Sequence, residues 1–253
     1  MGIGYVLGCL ISIILWKLDR QKFYALIHKK AKGILKNDVL IQLIFWSFTA
    51  LIYMIFLKFN KNEIFNAITA FTVIDISNTE RKNIKFKERF QFYDSISTIS
   101  RAIVCGFVAP LFYITLFGNA FAILYSFIYN FYMLHEESDY LKVIFTILTI
   151  VPALISEIFL YIVYIFRNKK YRIDFKGDYF INAFVRPLLN VDIMGAYIES
   201  VNFYYYFSSN NTDFIKSYGE YSKKVDSICI KDYLSIGYGT CILTFLLFFI
   251  LIK

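Results

Sequence analysis

Glu157 is the one charged residue in the apolar run Val143 to Phe166, and it stands five residues after Pro152. A carboxylate inside hydrocarbon is costly, and by default it marks a proton relay or an ion site. The plainer reading is a packed glutamate facing the bundle interior, protonated or bonded to Tyr161 one turn on. Other chemically capable residues are scattered. Cys9, Cys105, Cys229 and Cys241 show no C-x-x-C spacing, and three of them lie in apolar runs where a thiol behaves as a small hydrophobe. His28 and His135 sit far apart, beside lysines and glutamates respectively, as surface histidines do. No disulfide framework, metal site or cofactor is expected. There is no Gly-rich phosphate loop, nucleophile elbow or H-E-x-x-H.

The elements that hold these residues are apolar. Hydrophobic residues make up 58% of the 253 and mean hydropathy is +0.54, which points to an integral membrane protein. The 20% aromatic share, together with many Ile, Lys and Asn residues, reads as composition bias and not as a binding signature. Ala102 to Leu134 is uncharged over 33 residues. An unbroken helix of that length measures roughly 50 Å against a hydrocarbon layer of about 30 Å, so it is either tilted or broken, with Pro110 and Gly118 the natural break points. Further spans are expected at Gly2 to Trp16, Val39 to Leu57, Val143 to Phe166 and Leu234 to Ile252. The first is expected to be a retained span and not a cleaved signal, because its basic residues follow the apolar run. Ile64 to Ile74 is too short to assign alone.

Charge placement helps decide that segment. The connector 17–38 carries Lys17, Arg20, Lys22, Lys29, Lys30, Lys32 and Lys36 against Asp19 and Asp38, so it should face the cytoplasm. The connector 77–101 is also basic, with Arg81, Lys82, Lys85, Lys87, Arg89 and Arg101 against Glu80, Glu88 and Asp94. Two basic connectors on one side need an even number of crossings between them, so a segment near 63–76 must re-cross. The acidic turn His135 to Asp139 then falls outside and the loop 167–233 inside. The expected fold is an all-α polytopic membrane protein of about six spans, five being the alternative, with a cytoplasmic helical loop and a C-terminal span at 234–252.

Phe23, Ile27, Ala31 and Ile34 recur at helical spacing among lysines, which makes a basic amphipathic helix suited to anionic headgroups, with partner docking as the alternative. The net charge of +8 follows from membrane orientation, so the lipid bilayer is the expected partner and nucleic acid is not. No protein partner can be named. The loop 167–233 mixes ten basic with eight acidic residues and contains a semi-apolar stretch that should be helical after Pro187. The N-x-T match at Asn210 is a frequent chance pattern.

Ala109, Pro110, Leu111, Phe112 and Tyr113 read APLFY, and Gly118, Ala122 and Tyr125 follow at fitting distances. This resembles the membrane-protein superfamily that contains the cobalamin-biosynthesis protein CobD/CbiB and the regulatory protein AmpE. In that superfamily a second hydrophobic helix carries a P-A-R or P-V-R element, and Val151, Pro152 and Ala153 stand in its place here. The match covers roughly Arg101 to Phe166.

The CobD/CbiB branch, similar to an ATP-dependent amide-forming enzyme, carries acidic motifs that fail here. Its E-N-x-x-D positions are Arg101, Ala102 and Cys105, its N-x-x-D positions Tyr129 and Tyr132, and its D-D-x-x-N positions Phe145, Thr146 and Thr149. Leu154 replaces the arginine. Phosphate chemistry needs carboxylates for magnesium and cations for developing charge. The AmpE branch keeps the apolar scaffold without those sets. The resemblance therefore implies an AmpE-like inner-membrane protein, leaning non-enzymatic, with a regulatory role near cell-wall recycling and β-lactamase induction. A divergent CobD/CbiB-type cobalamin-biosynthesis protein is the first alternative. A small transporter, resting on Glu157, Pro110 and Pro152, is the second.

Overall fold

The computed structural model describes residues 2–15, 18, 20–35, 38–58, 62–75, 89–135, 138–175, 178–208, 213–218 and 227–252. Trp16, Lys17, Asp19, Lys36, residues 77–88 of the second basic connector, Glu136, Glu137 and Asn210 lie outside the described residues. The described chain is predominantly helical. Its helices are α1 (Ile3–Ile14), α2 (Arg20–Ile34), α3 (Asp38–Lys58), α4 (Glu63–Val73), α5 (Arg89–Ile103), α6 (Ala109–Leu134), α7 (Asp139–Asn168), α8 (Tyr179–Val185), α9 (Pro187–Glu199) and α10 (Ser227–Leu251). One turn of π-helix, Val104–Val108, joins α5 to α6.

Among the described residues, four helical stretches are long and apolar enough to cross a bilayer: Leu40–Lys58, Ile96–Leu134, Asp139–Asn168 and Ile228–Leu251. Ile3–Ile14 and Glu63–Val73 are shorter apolar helices. The stretch read as a basic connector is already helical from Arg89, and α7 extends past both ends of its expected span. The all-helical expectation needs one addition. Strands β1 (Phe203–Ser208) and β2 (Asp213–Tyr218) pair antiparallel, with Phe203 opposite Tyr218 and Tyr205 opposite Lys216. The aromatic run FYYYF favours a pleated strand over a helix, and Ser-Ser-Asn-Asn-Thr after it is turn composition.

The chain divides into two compact units. The first comprises Met1–Ser77, Cys105–Leu148 and Thr244–Lys253, and the second Asn78–Val104 and Thr149–Leu243. In the first unit α6 is the axis, with α2, α3 and α4 packed on it. Phe131 of α6 stacks on Phe45 of α3 at 4.0 Å, and Phe127 meets Tyr24 of α2 edge-on at 5.6 Å.

Helices α1 and α4 pack closely and run parallel, because Gly4 abuts Glu63 and Asn66, Gly8 abuts Ala67 and Ala70, and Ser12 bonds the Ile74 carbonyl. A Cβ on Gly4 would sit 2.1 Å from the Glu63 carbonyl oxygen, and one on Gly8 2.3 Å from that of Ala67. Only glycine lets backbones approach so closely, the small-xxx-small solution to helix packing. Glu63 reinforces the start of the pair, its Oε2 accepting the Gly4 N–H at 2.7 Å.

In the second unit α9 is the axis, packed against α5, α8 and β1. Pro187 opens it at a position where its missing N–H costs nothing, and Ser200 in the left-handed region (φ 55°) closes it. Nearly every α9 side chain is buried, as expected of a helix apolar on all faces.

Gly8→Val should destabilise the first unit by about 1–3 kcal/mol or more, since backbone stands in the way of the new side chain. Gly33→Ala in α2, where the added methyl meets nothing within 4 Å, should be neutral or stabilising. Thermal unfolding of the detergent-solubilised variants measures both, and equal behaviour would sink the tight-packing account.

Candidate functional site

Pro110 has no N–H, so the carbonyl one turn back loses its usual partner. In the widened π turn the carbonyl five residues back, that of Cys105, would likewise need the Pro110 nitrogen. Two carbonyls therefore look elsewhere. The Asp75 backbone N–H donates to Gly106 O at 2.9 Å, and the Tyr125 hydroxyl donates to Cys105 O at 3.2 Å. Tyr125 reaches back because the helix advances about one turn per 3.6 residues and is interrupted between them. That interruption is at Gly118, whose φ of 79° and ψ of −175° break the helix in a conformation suited to glycine. Of the two expected break points, Gly118 breaks the long uncharged stretch, while at Pro110 the helix continues after the π turn.

The motif residues divide by role. Ala109, Pro110, Leu111 and Ala122 are buried packing, and Phe112 is half-buried beside the Tyr113 ring. Tyr113 donates its hydroxyl to the Leu148 carbonyl at 2.6 Å, and its ring lies 4.9 Å from that of Tyr125. Pro152 lies buried inside α7 in the second unit, with Ser156 Oγ donating to its carbonyl at 2.9 Å. Phe145 of α7 comes together with Tyr129 and Tyr132 of α6. The Phe145 ring stacks on Tyr132 at 4.4 Å and on Tyr129 at 5.7 Å, and Tyr129 stacks on Tyr125 at 6.4 Å. Gln21 of α2 donates to the Tyr129 hydroxyl at 2.9 Å.

Two polar groupings of the first unit were not anticipated. Asp75 accepts from the Arg20 backbone at 3.2 Å and forms an ion pair with its guanidinium at 3.5 Å, and Arg20 Nη2 also donates to Ser12 Oγ at 2.9 Å. Burial lowers the Arg20 pKa from its ordinary value, while Asp75 raises it. Near the Gly118 break, the Tyr5 hydroxyl donates to Asn119 Oδ1 at 2.8 Å and Asn119 Nδ2 donates to Asn66 Oδ1 at 2.6 Å, all three being buried. The sequence signal for the first is the pairing of a basic connector with the aspartate that ends an apolar segment. For the second it is asparagine within apolar runs. The histidines also need correction: far apart in sequence, His28 and His135 meet edge-on at 4.8 Å. No group of three or more His, Cys, Asp or Glu able to hold a metal occurs among the described residues.

In the second unit, Glu157 does not bond Tyr161. Its Oε2 accepts the Tyr179 hydroxyl at 2.9 Å, while Tyr161 donates to the Tyr171 carbonyl at 2.7 Å. Burial and the neighbouring carboxyl raise the Tyr179 hydroxyl's pKa far above its usual range. On α9, Asp192 is buried and accepts from Ser97 Oγ at 2.7 Å, while Tyr233 and Ser100 share a hydrogen bond at 2.8 Å. Burial pushes the Asp192 carboxyl up to about 6, with Ser97, Ser100 and Arg101 opposing. Gly195 leaves room for the Tyr233 ring, which a Cβ would approach within 2.7 Å. At the end of α9, Arg167 bridges Glu199 at 3.0 Å and Asp232 at 3.2 Å. Beside the hairpin, Lys216 pairs with Asp178, and that bond holds the Asp178 carboxyl below and the Lys216 ammonium above their ordinary values. A lone aspartate in LLNVDIMGAYI was the readable sign of a polar group held in a buried helix.

Compared with family models, curated proteins and solved structures, the chain matches none.

Tyr125→Phe should cost about 0.5–1.5 kcal/mol, because it removes a buried hydrogen bond to the Cys105 carbonyl. Unfolding in detergent would show it, and an unchanged midpoint would exclude the bond. Asp192 gives a pH dependence of definite sign. Its pKa is raised on folding, so its contribution is full below about pH 4 and lost as pH rises through about 6. Wild-type stability should fall across that window by on the order of 3 kcal/mol, and Asp192→Asn should flatten the slope. A slope that survives the substitution would assign it to another group.

Proposed function

We propose that the protein is a multi-pass protein of the bacterial inner membrane that crosses six times with its amino terminus outside. It acts in a regulatory, non-enzymatic, AmpE-like role near cell-wall recycling and β-lactamase induction. The observation that carries the non-enzymatic reading is the aromatic stack of Tyr125, Tyr129, Tyr132 and Phe145. Tyr129, Tyr132 and Phe145 align with positions where the CobD/CbiB branch has polar or acidic groups. They converge in space as an active site would, yet present stacked rings. Tyr113 and Tyr125 hold backbone carbonyls with their hydroxyls, so the motif supports architecture instead of chemistry.

The crossing count draws support from α1 and α4. Parallel helices enter on one face and leave on the other, and the Arg20–Asp75 pair brings the starts of the two basic connectors together. Both connectors then share the cytoplasmic side, as positive charge requires. At 12 and 11 residues the two helices measure roughly 16–18 Å, so flanking residues and local thinning complete the crossing.

Two measurements test this. The four native cysteines are buried, so single cysteines placed at Lys32 and Ser138 can be labelled selectively. They should react with membrane-impermeant reagent from opposite faces, Lys32→Cys only from the cytoplasm; reaction from the same face would favour five crossings. Deleting the gene should alter β-lactam response and muropeptide pools. Unchanged pools, or rescue of a strain lacking the CobD/CbiB enzyme, would overturn the regulatory reading.

A further inference from the structure

Helix α8 is built inside out. It buries Tyr179, Asn182 and Ala183 and turns its large apolar side chains outward: Phe180 is 74% exposed, Ile181 66%, Phe184 63% and Val185 56%. Polar contacts on the inner side hold it that way. The Tyr179 hydroxyl donates to Glu157 of α7 at 2.9 Å, and Asn190 Nδ2 of α9 donates to the Tyr179 carbonyl at 2.9 Å. Just before the helix, Asp178 pairs with Lys216 of β2. A contiguous apolar face turned outward is unfavourable in water and ordinary against lipid.

The length of α7 fixes the level at which that face lies. At 30 residues the helix measures roughly 45 Å against about 30 Å of hydrocarbon, so about ten residues stand clear of it. Measured from the acidic start at Asp139, the far boundary falls about twenty residues on, near Ile158. Glu157, which holds α8, stands at that boundary.

Charge around the face has one sign in excess. From Lys169 to Arg186 the sequence carries Lys169, Lys170, Arg172, Lys176 and Arg186 against Asp174 and Asp178, a net charge of +3. Arg186 stands at the end of α8, and Lys216 beside its start. A second copy of the chain on this face would bring positive charge to positive charge, whereas an anionic membrane surface complements it.

We propose that α8 is an interfacial helix that binds the surface of a bilayer containing anionic lipid. Phe180, Ile181, Phe184 and Val185 enter the boundary between headgroups and acyl chains, and the neighbouring cations meet lipid phosphates. The segment that leaves α7 is thereby tied back to the membrane beside the helix it left. The inference rests on the reading of α7 as a membrane span, and on neither the number of crossings nor the regulatory role.

Spin labels on single cysteines test it, with the full chain in vesicles of phosphatidylglycerol and phosphatidylcholine. Phe184→Cys and Ile181→Cys report on α8, both at exposed positions, and Val151→Cys on the exposed side of α7 reports on the span. The α8 labels should meet oxygen more readily than an aqueous nickel chelate and lie about 5–10 Å below the lipid phosphates, shallower than the α7 label. In pure phosphatidylcholine they should move toward water. If the α7 label lies in lipid while the α8 labels meet the chelate, or are shielded from both relaxants and broadened by a label on a second copy, the inference falls and the span stands. If the α7 label also meets the chelate, the span reading falls with it. A depth of the α8 labels indifferent to lipid charge overturns the assignment to an anionic surface.

Discussion

A single missing N–H organises the first unit. Proline at 110 deprives the turn before it of a donor, and a buried carbonyl left without one is costly. The carbonyls of Gly106 and Cys105 are answered by groups from separate elements, the backbone of Asp75 after α4 and the hydroxyl of Tyr125 on α6. Because Asp75 is fixed by its backbone, its carboxylate is held where Arg20 can reach it, and Arg20 in turn reaches Ser12 of α1. One covalent peculiarity of proline thus passes through Asp75 to the starts of two connectors. The break at Gly118 belongs to the same arrangement, since it lies between the carbonyl and the tyrosine that answers it.

The second unit solves a different problem. Helix α9 is surrounded on all faces, yet it carries Asn190, Asp192 and Glu199. Each finds a different counterpart: the Tyr179 carbonyl, a serine hydroxyl on α5, and a guanidinium at the end of α7. These directional bonds fix the rotation and register of a helix whose apolar surface alone would pack almost equally well in several orientations. The apolar character gives burial, and the three polar residues give uniqueness.

Much of the helical skeleton was legible, and the reason is local. Length and hydropathy mark α3 to within a residue at each end, and proline and glycine mark the interruptions because their backbone chemistry acts where they stand. Pairing across distance was not legible. Nothing at Tyr161 reveals that Glu157 turns instead to Tyr179, 22 residues on, and nothing near His28 points to His135. The hairpin escaped because its aromatic run sits in a composition already rich in aromatics. The closeness of α1 to α4 did leave a sign, glycines four apart at Gly4 and Gly8, whose meaning depends on a partner helix that the sequence does not name.

That parallel pair also sets an order of events during synthesis. Gly4 and its neighbour Glu63 are 59 residues apart, so at the usual pace of translation α1 emerges ~3–12 s before α4 exists. On the membrane reading, α1 waits through that interval as a helix too short to hold a transmembrane position by itself. Its glycine face is closed only when α4 arrives alongside. Helix α1 is therefore made well before it is secured, which makes this interval the point at which a membrane chaperone or a quality-control protease would act.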